Sequence, residues 1–235
     1  LLAENCRYVQ NTVGVELRKS SMSLFSDSSF EQNGKGVYSV YESYTGDVHG
    51  PIADLSIRDC VFTGGSYGID LNANQVAFKG IAISNNVISG MSTAGLKVGG
   101  GGYGPYAHSV SISGNRVSAS QGGIFIDQFY SAGGNGLPNL PPLPAYPIEV
   151  VGNFIIGNSG RPLYVAALDA GAGVTNIRIA NNIVSGNSGD ILFTSVQNST
   201  NKQFVGNVVI GSALIIGGDS SYFPRSWTIT GNSFV

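Results

Sequence analysis

One phrase recurs along the chain, and it restricts the fold more than any other feature. Its clearest copy is Ile81-Ala-Ile-Ser-Asn-Asn86-Val-Ile-Ser-Gly90 followed by Gly95-Leu-Lys-Val98: an alternating apolar strand, a small polar pair ending in Asn, a second short strand, then Gly and a third strand. The same phrase centres on Asn115, Asn153, Asn182, Asn207 and Asn232 and, with the Asn replaced, on Cys6, Ser28 and Cys60. Neighbouring anchors lie between 22 and 38 residues apart, a spacing at which each repeat is one coil that buries its apolar face against the next. The apolar residues alternate with period two, as in Val110-Ser-Ile-Ser113, Ile177-Arg-Ile-Ala180 and Trp227-Thr-Ile-Thr230, so the coils are built from strands and not helices. The reading is all-β, a solenoid of about eight coils.

Where the repeats vary is also informative. From Cys6, Ser28, Cys60 and Asn115 to the Gly opening the next strand (Gly14, Gly36, Gly68, Gly123) the separation is 8 residues, whereas from that Gly to the next anchor it runs from 14 to 30. Nearly all extra residues therefore enter at one corner of the coil. Stacked, those corners form a wall along the solenoid.

An apolar content of 42% supplies a continuous core, while charged residues make up only 11% against a usual value near ~25%. Twelve basic and fourteen acidic residues leave a formal charge of −2, so no cationic face is available to neutralise many phosphates, and nucleic acid is not an expected partner. Apolar runs such as Ala213-Leu-Ile-Ile216 are far shorter than a bilayer span, so membrane insertion is not expected either. The opening Leu-Leu-Ala-Glu has no Met or leader-like core, and the expectation is one domain over residues 1–235 excised from a longer chain.

With Ile83-Ser-Asn-Asn86-Val-Ile and Ile112-Ser-Gly-Asn115-Arg-Val as its clearest statements, the chain resembles the right-handed, single-stranded parallel β-helix proteins. These include pectate lyases and other polysaccharide lyases, polygalacturonase-like hydrolases, mannuronan epimerases and phage tailspikes. The resemblance implies a polysaccharide substrate lying on one sheet, here the strands opened by Gly14, Gly36, Gly68, Gly95 and Gly123.

Side chains alternate along a strand, so the residue after each of those glycines points inward and the next outward. The outward row then reads Glu16, Tyr38, Asp70, Lys97, Phe125, Tyr164, Leu192, Ile215, and a second row begins Arg18, Val40, Asn72, Gly99, Asp127. Tyr38, Phe125 and Tyr164 are expected sugar platforms, and Leu192 and Ile215 a covered or subunit-facing end. Glu16 and Asp70, two coils apart at roughly 9.6 Å, stand at the edge of the range for an inverting glycosidase. Asp127 is a further candidate acid, as are Glu42, Asp47 and His49 in the connections. Asp70 and Lys97 are expected to be neighbours, the lysine holding the carboxylate ionised. For elimination or epimerisation of a uronate, a base must remove the proton beside a carboxylate whose charge is neutralised, and Lys97 with Tyr67 or Tyr38 would share that work. Tyr67-Gly-Ile-Asp70-Leu-Asn72 resembles the epimerase signature Tyr-Gly-Phe-Asp-Pro-His-Glu up to Asp70, with Asn72 where that family has His.

These residues lead to a phage-tailspike-like β-helix that binds and degrades a polysaccharide at a virion surface or outside the cell, as a homotrimer in its full length. A secreted lyase or epimerase and a non-catalytic adhesin are the alternatives. No cofactor or metal is expected: His49, His108 and two separated cysteines do not form a zinc set, and Gly99-Gly-Gly-Gly102 lacks the context of a phosphate loop. Asn198-Ser-Thr200 fits the glycosylation triplet. Cys6 and Cys60 occupy the same repeat position with Ser28 between, at roughly 9.6 Å, too far for a disulfide.

Overall fold

In the computed structural model each repeat becomes one coil of three short strands. Residues 1–18, 20–39, 52–72, 77–99, 106–127, 148–166, 176–194, 202–217 and 227–235 are described. Their strands fall in rotation into three sheets of nine, nine and eight strands, each strand pairing in parallel with the one three places on. That pairing closes eight three-strand coils and leaves two strands of a ninth. The architecture is a right-handed parallel β-helix.

Period-two alternation places one apolar row from each sheet on the axis. Ile57, Ile83, Ile112, Val150, Ile179 and Phe204 stack in register in the first sheet, and Phe30, Phe62, Ile88, Val117, Ile155 and Val184 in the second. All twelve are fully or almost fully buried. At the N-terminal end the aromatic row is a true stack, Tyr8 on Phe30 on Phe62 with centroids 4.7 and 4.6 Å apart.

The recurring Asn forms the turn between the first and second sheets. Asn153 accepts from the backbone N–H of Asn115 (3.0 Å) and donates through Nδ2 to the carbonyl of Ile112 (2.9 Å) and to Oδ1 of Asn182 (3.0 Å). The same pattern links Asn86, Asn115, Asn153, Asn182, Asn207 and Asn232, so buried turn amides find partners in the next coil. The residue before the ladder is left-handed in coil after coil, and it is Asn5, Asp27, Asp59, Asn85, Gly114, Gly152, Asn181, Gly206 or Gly231, the types that tolerate that conformation. A second, shorter ladder at the next corner joins Ser120, Asn158 and Asn187. Sequence reading had not separated it from ordinary loop polarity.

Glycine opens the third-sheet strands because there is no room for a side chain. A Cβ at Gly95 would stand 2.3 Å from Cγ1 of Val117, a core residue of the second sheet. Cys6 and Cys60 are free, as their spacing requires, and Cys60 is buried with its thiol pushed up by that burial. The first-sheet strand Tyr106–Ser113 begins within the long stretch between Gly99 and Val110, and its residues 106–108 pair with Ala77, Phe78 and Lys79.

Candidate functional site

The third sheet carries the outward row expected of it. Its strands are Val13–Leu17, Lys35–Ser39, Tyr67–Asn72, Ala94–Gly99, Ile124–Asp127, Leu163–Ala166, Ile191–Thr194 and Leu214–Gly217. Register pairs Glu16, Tyr38, Asp70, Lys97, Phe125, Tyr164, Leu192 and Ile215 in unbroken sequence. The neighbouring row pairs Asn72, Gly99 and Asp127. Between the third sheet and the next first-sheet strand the chain runs from 3 residues (after Leu17) to 20 (after Asp127), against 3 to 6 between the second and third sheets, so the long connections follow this sheet.

Around Asp70 the geometry departs from expectation. Its carboxylate lies on the outer side of the sheet, yet the residue is only 2% exposed. Lys35 reaches across from the preceding coil and places Nζ 2.6 Å from Oδ2, while Asn72 Nδ2 donates to Oδ1. The ammonium rests 3.6 Å from the Tyr38 ring centroid and 5.7 Å from that of Tyr67, so two rings and a carboxylate surround one charge. The cation partner of Asp70 is therefore Lys35, not Lys97. Lys35 shares its register position with Tyr67, at the corner where a long side chain can fold over the outward row. Burial, followed by the charge of Asp70, raises the Tyr67 phenol above its ordinary range. Asn72 is tied down further, its N–H donating to Ser39 Oγ at 2.6 Å.

Sequence reasoning passed over Lys35, although aligning the repeats on their glycines would have found it. Lys35 before Gly36 and Tyr67 before Gly68 are equivalent positions in successive coils.

The flanking regions differ. Glu16 is ion-paired with Arg18 two residues away, a contact largely open to solvent. Further along, Phe125 and Tyr164 meet edge to face at 5.5 Å, and the Arg161 guanidinium lies 5.5 Å from the Tyr164 centroid. Leu192 is half-buried and Ile215 exposed, continuing the apolar strip to the C-terminal end. Among the described residues no group of three His, Cys, Asp or Glu side chains is arranged to hold a metal. Val40, Glu42, Asp47 and His49, residues 100–105, the Pro-rich stretch within 128–147, the triplet from Asn198 and the side chain of His108 lie outside the described residues.

A family model described as a right-handed β-helix region matches residues 2–109. A second, described as a protein of unknown function (DUF1565), matches residues 64–211, more than half of the chain. The chain belongs to the DUF1565 family. That match takes in Tyr67, Asp70, Asn72, Lys97, Phe125, Asp127 and Tyr164, whereas Glu16, Lys35 and Tyr38 fall within the β-helix match alone. No curated protein and no solved structure matches the chain. Among the described residues no helix is long and apolar enough to cross a membrane.

Proposed function

We propose that this β-helix binds a polysaccharide along the outer face of its third sheet, in the way a phage tailspike engages a surface glycan. The observation that carries the reading is the outward row itself. It sets Tyr38, Phe125 and Tyr164 among charged groups on one continuous strip, beside the connections of variable length. Aromatic faces meet the C–H faces of sugar rings, and charged groups meet their hydroxyl edges. The protein then works outside the cell or on a virion, and the apolar end at Leu192 and Ile215 is where subunits of a trimer meet.

Cleavage of the bound chain is the finer step. Glu16 and Asp70 flank Tyr38, and their separation of roughly 9.6 Å by strand spacing lies at the edge of the inverting range. A sugar stacked on Tyr38 would lie between them, with Asp127 as a further acid. Asp70 acts in this scheme only after Lys35 swings aside. A second reading, adhesion without turnover, is favoured by the closure of Asp70 beneath Lys35.

Incubation with a panel of capsular, O-antigen and plant polysaccharides separates these readings. New reducing ends without the ultraviolet absorbance of an unsaturated uronate indicate hydrolysis, and that absorbance indicates a lyase. Retention of the protein by a polysaccharide with neither product leaves the adhesin. Failure of every polysaccharide to retain the protein overturns the proposal.

A further inference from the structure

The cage around the Lys35 ammonium does not depend on Lys35 for its shape. Asn72 donates to Oδ1 of Asp70, and Asn72 is itself held by Ser39, whose Oγ accepts from its N–H and donates to its carbonyl, each at 2.6 Å. Tyr38 and Asp70 face each other in register on neighbouring strands, and Tyr67 opens the strand that carries Asp70. Backbone pairing thus places two rings and a carboxylate, while Lys35 arrives on a flexible stem. The lysine side chain is 30% exposed and the carboxylate beneath it 3% exposed, so turning the stem outward opens the cage to solvent.

The walls suit a protonated primary amine. Nζ lies 3.6 and 5.7 Å from the two ring centroids, within the reach at which an aromatic face attracts a cation. Its 2.6 Å contact with Oδ2 has the length of a charge-assisted hydrogen bond, which requires an N–H on the cation. A quaternary ammonium has no such hydrogen, and an acetylated amine brings no charge. Lys97, in register with Asp70 on the other side, belongs to the next coil and forms no ion pair with it, so an incoming cation is directed to the Tyr38 side.

Resting on the binding face put forward above, we propose that Lys35 stands in for the ammonium of an amino sugar, and that Tyr38, Tyr67 and Asp70 form a subsite for glycans with unacetylated amino groups. The sugar ammonium takes the place of Nζ against Oδ2 and between the rings, and Lys35 turns out to solvent. Because Lys35 fills the cage of the free protein, the ligand binds only the fraction in which it has left, and the affinity is reduced by that fraction. Removing this one positive charge therefore strengthens the binding of a cation.

The test is calorimetric titration of the parent, Lys35→Met and the double variant Lys35→Met with Asp70→Asn. The ligands are glucosamine oligosaccharides, their N-acetylated forms, methylammonium and tetramethylammonium. Lys35→Met should bind the free-amine oligosaccharide about tenfold or more tightly than the parent does, the gain expected for one hydrogen bond to a charged group. The N-acetylated form should show no such gain, methylammonium should bind better than tetramethylammonium, and Asp70→Asn in the same background should cancel the gain. Lys35→Gln replaces Lys35→Met if circular dichroism shows the latter unfolded, and in the parent itself the free-amine form should bind more tightly than the N-acetylated one. No gain in the lysine variants, an equal gain for both oligosaccharide forms, or a parent indifferent to acetylation overturns the amino-sugar subsite. Any of these results with neutral polysaccharides still bound by the parent leaves the binding face in place. Methylammonium bound to Lys35→Met with no oligosaccharide or polysaccharide bound by any of the proteins overturns the face and the amino-sugar ligand together.

Discussion

Asn153 shows how much of this fold depends on single side chains. Its amide serves Asn115, Ile112 and Asn182 at once, and Asn153→Ala would leave several of those buried groups unpaired, at about 1–3 kcal/mol for each. The expected loss is about 3 kcal/mol or more, read as a lower urea midpoint at unchanged slope, and a change under half of that would show the ladder to be ornamental. Lys202 makes the opposite contribution. It occupies an inward position between Ile177 and Trp227 with no exposed surface, and burial lowers its pKa from 10.5 to about 8. Between those values the unfolded chain holds the proton that the folded chain has released, so stability rises with pH through that window and is lowest below it. The difference in melting temperature between the parent and a Lys202→Met variant should therefore shift in the parent's favour from pH 7 towards pH 10. A gap independent of pH would contradict the assignment. At Asp70 the clamp predicts that Lys35→Met exposes the carboxylate, and in a cleaving enzyme Asp70→Asn should abolish turnover while oligosaccharide affinity persists.

At the level of strands and turns, most of the architecture was legible because a coil repeats its own chemistry. The glycine-opened strands, their inward and outward rows and the corner that accepts insertions all follow from period two and a fixed anchor spacing, and the register reproduces that outward row from Glu16 to Ile215. What sequence did not reveal was the path of long side chains. Alternation placed Asp70 outward and beside Lys97, but it carries no information on a lysine one coil earlier folding over the row, which is what covers Asp70. The Ser120–Asn158–Asn187 ladder was missed because its positions are not uniformly Asn, Met91 holding one of them. Steric closure at the glycine corner gives a test at this scale. Gly95→Ala would force its new methyl against Val117 and should destabilise by about 1–3 kcal/mol, whereas Gly217→Ala, with nothing near the added atom, should be close to neutral.

Across the whole molecule, three sheets present three outer faces, and the proposed glycan lies on one of them. The third-sheet face has three aromatic rings in its charged row, while the second-sheet face carries Arg7, Glu31 and Arg116 among exposed Val9, Val61, Val87, Phe154 and Ile210 on short strands. A trimer formed through Leu192 and Ile215 would appear in light scattering of the full-length protein as three times the monomer mass, and a stable monomer would remove that part of the proposal. The most direct test of the central claim compares the faces themselves, by affinity electrophoresis in a polysaccharide that retards the parent protein. Tyr38→Ala and Tyr164→Ala should each weaken retention about tenfold, a loss near 1.4 kcal/mol, while Phe154→Ala leaves it unchanged. Loss of retention in Phe154→Ala with both tyrosine variants binding normally would place the glycan on the second sheet and contradict the account.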